Sequence, residues 1–155
     1  MLGSAPLVLF RLASWFYQHG LKPIANLITF LNRILFACFI GPGATIGKGV
    51  SLGYGGLGVV IHQNAVVGDF VRIGTGVTIG GRSKIIEVPT IGNYCVIGSG
   101  AKILGPIQLG ERVVVGANSV VLNSVDADSV VAGIPGKVIK TGINIADFHD
   151  GLTSQ

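Results

Sequence analysis

Charge is what this chain has least of. Only 12% of its 155 residues are Asp, Glu, Lys or Arg, and the formal net charge is +4. The basic residues are scattered, so they draw no nucleic-acid footprint, although a modest positive excess suits an anionic cofactor. With 49% hydrophobic residues, so low a charge excludes a disordered chain. Cysteine is scarce too. Cys38 and Cys95 have neither zinc nor redox spacing, so no metal is expected and a reducing, cytoplasmic setting is the expectation. Arg11 interrupts the first apolar stretch, and no positive start leads to a small-residue cleavage site, so no secretory leader is read. No uncharged apolar run reaches the ~18 residues of a membrane span.

Glycine is abundant, with 25 residues, and it keeps a beat with the aliphatics. Ile61, Val67, Ile73, Ile79, Ile85, Ile91, Ile97, Ile103, Leu109, Val115 and Val121 fall six residues apart. Ile40, Ile46 and Leu52 keep the same period in another phase. Neither a helix nor a plain strand has that period; a chain that turns a corner every six residues does. Gly often follows the aliphatic, and a small or β-branched residue sits four places after it. The pattern is that of a hexapeptide parallel β-helix, an all-β solenoid with about eighteen residues per triangular coil. The aliphatics stack inside, the fourth position fills a corner with no room for a large side chain, and the Gly permits angles that a Cβ obstructs.

Three segments are expected. Residues 1–39 form a helical cap: a helix over 4–19, capped by Ser4, then one from Pro23 to about Phe36 with a polar stripe of Asn26, Thr29, Asn32 and Arg33. The cap is greasy enough to pack on neighbouring subunits or to touch a membrane peripherally. Residues 40–140 are the repeat domain, and 141–155 read as a loose polar tail. Three residues are inserted between Leu52 and Ile61, in Gly53-Tyr54-Gly55-Gly56-Leu57-Gly58. Between Ile79 and Ile91 the corner rule lands on Pro89, so residues 80–90 are expected to protrude over a neighbouring groove and Ile85 to match the beat by coincidence.

At this point the chain resembles the hexapeptide-repeat acyltransferases, and within them the serine O-acetyltransferases. The resemblance runs from about Leu7 to Ile139. It rests on Leu9-Phe10-Arg11-Leu12-Ala13-Ser14-Trp15, Ala44-Thr45-Ile46-Gly47, Gly58-Val59-Val60-Ile61, Val77-Thr78-Ile79-Gly80-Gly81, Gly100-Ala101-Lys102-Ile103-Leu104-Gly105 and Ala132-Gly133-Ile134-Pro135-Gly136-Lys137, in that order. It implies a left-handed parallel β-helix, a homotrimer with active sites between adjacent prisms, and acetyl-CoA as donor to an acceptor hydroxyl. The family's Asp-His pair is replaced by Gly53-Tyr54, and Val88 stands where its second histidine precedes the loop proline. The expected acceptor is therefore a sugar hydroxyl of a bacterial surface polysaccharide, with free serine the alternative and a non-catalytic trimeric scaffold a third reading. A three-histidine zinc enzyme on the same prism is set aside, because three histidines cannot be placed in the coils.

Transfer to a hydroxyl needs a base. His62, after the Gly-rich insertion and in a slot usually given to Gly, is the expected one, with Asp69, Glu87 or a backbone carbonyl to hold its ring. Tyr54 is the second catalytic candidate. Backbone N–H groups of Gly74-Thr75-Gly76 or Gly80-Gly81 could meet the thioester oxyanion. Arg82, Lys84, Lys102, Lys137 and Lys140 could meet CoA phosphates. The expected cofactor-binding set is Gly80, Gly81, Arg82, Gly98, Ala101, Lys102, Ala117 and Lys137.

Overall fold

The computed structural model describes residues 5–149. From Phe39 the chain winds as a left-handed parallel β-helix with three faces. Face A stacks Phe39–Ile40, Val60–Ile61, Thr78–Gly80, Lys102–Leu104 and Val120–Val121. Face B stacks Thr45–Ile46, Val66–Val67, Thr90–Ile91 and Gln108–Leu109. Face C stacks Ser51–Leu52, Arg72–Ile73, Val96–Ile97, Val114–Val115 and Ser129–Ala132, and an antiparallel strand, Lys137–Thr141, closes it. The register sets aliphatic on aliphatic: Ile40, Ile61, Ile79, Ile103 and Val121 form one column inside face A. All five are sealed from solvent, each contributing about 1.5–3 kcal/mol by burial.

The corners explain the rest of the beat. Ala44, Ala65, Val71, Val77, Cys95, Ala101, Val113 and Ser119 are buried there. Burial pushes the Cys38 and Cys95 thiols up to about 11, so both stay protonated at neutral pH. Ile107 is also buried at such a corner, so a large side chain does fit there. Pro89 likewise fills its corner, buried just before Ile91, and its carbonyl accepts from the Val66 N–H. The corner rule therefore does not fail at Pro89. The glycines after the aliphatics serve a purpose other than the expected one. Gly74 and Gly98 do not have positive φ. A Cβ on either would come within 2.5 Å of backbone nitrogen in the next coil, Ser99 N or Ala117 N. Close stacking of successive coils selects them.

Residues 81–87 do leave the prism. Gly80 ends a face A strand, Thr90 begins the next face B strand, and residues 81–87 between them are exposed. Ile85 lies in that loop, outside the core columns.

Two helices cover the first coil. The first (α1) spans Ala5–Gln18 and the second (α2) Lys22–Phe36, with Pro23 in its first turn. Leu7 and Phe10 join the prism core, and Phe36 packs on it. The expected cap at Ser4 lies outside the described residues. The expected polar stripe of α2 divides, with Asn26 and Arg33 exposed and the other two turned inward. Thr29 and Asn32 are buried, donating to Ala25 O and Pro6 O, while Leu27, Phe30, Ile34 and Leu35 face out. Docking on α1 uses the small and polar side of the helix, where Ala25 is buried and Asn32 reaches Pro6 O.

The tail is not loose over its described part. Ile143 and Ile145 are buried on face C with Val114, Asn144 caps a short turn, and His149 is buried with Nε2 hydrogen-bonded to Phe70 O at 2.8 Å. Residues 150–155 lie outside the described residues.

Candidate active site

The three faces meet at three edges, and the candidate residues divide between two of them. The A–B edge carries His62, Gly80, Gly81 and Arg82; the C–A edge carries Tyr54, Gly74, Thr75, Gly76, Gly98 and Ala117. A face of six residues at ~3.3 Å per residue separates the edges by up to roughly 20 Å. One protomer therefore does not bring His62 and Tyr54 together.

His62 is half-buried and follows Ile61, the position of Gly41 one coil earlier. At Gly41 a Cβ would collide with Gln63 in the coil above. At His62 the coil above is Gly80, from which the chain departs as the loop. The excursion thus removes the obstacle that makes glycine the rule, and a histidine fits. The His62 backbone N–H donates to Ile79 O at 2.9 Å. Its ring Nδ1 accepts from the Asn64 N–H at 3.2 Å, which leaves the neutral ring its proton on Nε2. Asp69 does not hold this ring. It stands at the B–C edge, where its carboxylate accepts from the Lys48 N–H. Asn64, not a carboxylate, sets the tautomer, and a sequence search for a charged partner passes over a main-chain donor.

At the C–A edge Gly53–Gly56 forms a tight turn against the Arg72–Ile73 strand. Tyr54 has φ +48° and is 93% exposed, so its ring packs on nothing in its own prism. The Lys102 ammonium crosses to this edge and donates to Gly76 O at 2.6 Å. The Gly74 and Gly76 N–H groups are already spent on Ile97 O and Leu57 O. Gly80 is likewise paired with Leu104 in the face A ladder, so of the two expected stretches the Thr75 and Gly81 N–H groups are left for backbone donation to an oxyanion. Ala101 is fully buried at an inner corner, so its methyl group faces the core. Arg82 is exposed at the root of the loop, its side chain lying over Gly105. Lys137 sits exposed on the last strand of face C.

A groove of about 540 Å³ runs beside the C–A edge, lined by Ser51, Gly53, Arg72, Gly74, Gly98, Ser99 and Phe148. Ser99, Arg72 and Phe148 were not singled out from the sequence. Ser99 could have been found from its place in Gly98-Ser99-Gly100-Ala101; Phe148 could not, because only the folded tail brings it there. Among the described residues no group of three His, Cys, Asp or Glu could hold a metal ion.

Residues 89–123 match the bacterial transferase hexapeptide (six repeats) family model. The serine acetyltransferase of Synechococcus elongatus is 46% identical over 146 residues, 92% of this chain and 59% of that protein. The serine acetyltransferase of Brucella abortus, solved in complex with coenzyme A, superposes with a TM-score of 0.88 at 39% identity, over 93% of this chain and 58% of that one. Over nearly its whole length the chain is similar to serine acetyltransferases. The soybean serine acetyltransferase complexed with serine matches as well, with a TM-score of 0.83 and 36% identity over 86% of this chain and 56% of that one. The chain spans less than two thirds of the length of these relatives. The match takes in the helical cap as well as the prism, so the shared part includes both edges and the groove beside the C–A edge.

Proposed function

We propose that this chain is an acetyl-CoA-dependent O-acetyltransferase whose acceptor is serine. The observation that carries the reading is the match over 86–93% of the chain to serine acetyltransferases, among them one solved with coenzyme A and one with serine. That match favours serine over the sugar hydroxyl expected from the missing Asp-His pair. The sugar reading keeps one observation of its own: Tyr54 stands bare at the edge where an aromatic ring could face a saccharide.

In this reading three prisms associate with parallel axes, and the A–B edge of one meets the C–A edge of the next. Each groove then takes His62 and the loop from one subunit and Tyr54, Gly98, Ala117 and Lys102 from its neighbour. Acetyl-CoA lies along the glycine-rich edge, where absent side chains let it reach the main chain. Lys102, Arg82 and Lys137 supply positive charge for its phosphates. The acceptor hydroxyl attacks the thioester carbonyl and its proton passes to His62 Nε2. The tetrahedral oxyanion meets the Gly81 N–H group. It then collapses, the C–S bond breaks, and the CoA sulfur leaves with the proton that His62 returns. For Nε2 to accept a proton the ring must first give up the Asn64 bond, which costs about 0.5–1.5 kcal/mol. Two buried, unpaired thiols suit a reducing cytoplasmic setting.

The test is CoA release from acetyl-CoA, read as free thiol, with serine and with a panel of saccharides. Serine-dependent release is the expected result. Release with saccharides alone would move the acceptor to the second reading, and none with either would sink the enzymatic one.

A further inference from the structure

The charges of this chain are segregated along the prism. Residues 1–68 contain Arg11, Lys22, Arg33 and Lys48 and no Asp or Glu, so this stretch carries the whole formal net charge of +4. Residues 69–155 balance seven basic residues against seven acidic ones. The basic end is also the greasy end. Leu27 (58% exposed), Phe30 (57%), Ile34 (65%) and Leu35 (66%) stand out from α2, and Val8 (63%) and Leu12 (47%) from α1. Arg11, Lys22 and Arg33 are exposed on the same two helices.

We propose that this helical cap docks on an anionic lipid surface, with α2 lying in the interface and its apolar side among the headgroups. The inverted amphipathicity of α2 is the first support. Thr29 and Asn32 are spent inside the protein and Asn26 and Arg33 are exposed, so the outward side, with Leu27, Phe30, Ile34 and Leu35, is the one that gains from leaving water. The second is length. At 14 and 15 residues the helices are too short to span a bilayer, and no described helix is long and apolar enough to do so. The third is charge. Lys22 opens α2 and Arg33 stands in its last turn beside Phe30 and Ile34, placed to meet lipid phosphates and carboxylates as the apolar residues sink. A second copy docking on this face would bring like charges together with no acid in the stretch to offset them. The parallel-axis trimer proposed above would set three caps at one end, so all three would engage one surface together. The docking itself does not depend on the acetyl-transfer reading.

The test is co-sedimentation of the whole chain with vesicles of phosphatidylcholine alone and of phosphatidylcholine with about one third phosphatidylserine. The chain should pellet with the anionic vesicles and much less with the neutral ones. Lys22→Gln and Arg33→Gln should each weaken binding about fivefold. Leu27→Glu combined with Ile34→Glu should abolish it, while acetyl transfer in vesicle-free solution stays unchanged. The two charge variants leave every apolar contact in place and keep the test open if the double variant fails to fold. Equal binding to both vesicle types, or to neither, overturns the proposal. So does a double variant that binds normally. So does one whose particle size falls in light scattering without vesicles, because the face would then belong to a contact between subunits.

Discussion

Replacing His62 by alanine tests the proposed chemistry most directly. The side chain is half-buried at an edge, outside the aliphatic columns, and its one ring hydrogen bond, from the Asn64 N–H, is a long one. Losing that bond costs about 0.5–1.5 kcal/mol at most, and the freed N–H can turn to water. The fold should therefore survive His62→Ala with its unfolding midpoint nearly unchanged. Removing a general base costs about 10²–10⁴-fold in rate, or roughly 3–5 kcal/mol of barrier. That exceeds the structural loss several times over, so the two effects separate cleanly. Steady-state thiol release should show kcat falling by that factor with the KM for acetyl-CoA little changed. His62→Gln should not restore the rate, since an amide accepts a hydrogen bond but takes up no proton. If His62→Ala keeps most of its activity while Tyr54→Phe loses it, the proton is handled at the C–A edge and the base assignment is wrong.

Equal mixing of His62→Ala and Tyr54→Phe subunits, unfolded and reassembled together, should restore about a quarter of native activity, the random chance that a groove receives both native residues. A mixture no better than its parts would show that the two do not meet across subunits. Ile79→Ala, in the middle of the face A column, should lower unfolding free energy by about 2–5 kcal/mol in denaturant titration; a loss under 1 kcal/mol would mean that the coils close over the gap. The Arg112 guanidinium, within 2.6 Å of Asp128, holds that carboxyl below its ordinary value. A depressed folded-state value stabilises above the unfolded one and is lost as pH falls through the folded one, so Asp128→Asn should flatten the acid side of the stability profile below about pH 4. An unchanged acid limb by circular dichroism would assign the acid sensitivity elsewhere.

The solenoid, its coil boundaries, the protruding loop and both helices were legible in residue order alone. That follows from the physics of a repeat: each coil contacts only its neighbours, so every six-residue unit faces the same local constraint and records it as a beat. Ile85 shows the limit of the beat, since it keeps time while lying outside the core. Pro89 shows the converse, a corner residue that an unusual side chain disguised. The glycines were marked correctly but for the wrong reason, because the obstacle is backbone one coil away and a sequence does not display what lies above it.

What only the tertiary structure decided are the relations between distant segments. The outward turn of α2's apolar side depends on which side of the helix Ala25 and Asn32 present to α1. The docking of Ile143, Ile145 and His149 on face C depends on a surface made by three separate coils. The room for His62 depends on the chain leaving the prism eighteen residues later. The sequence by itself determined the periodic part of this protein, because local contacts are written locally. The arrangement of its edges, cap and tail came from packing between parts whose separation along the chain hides their nearness in space.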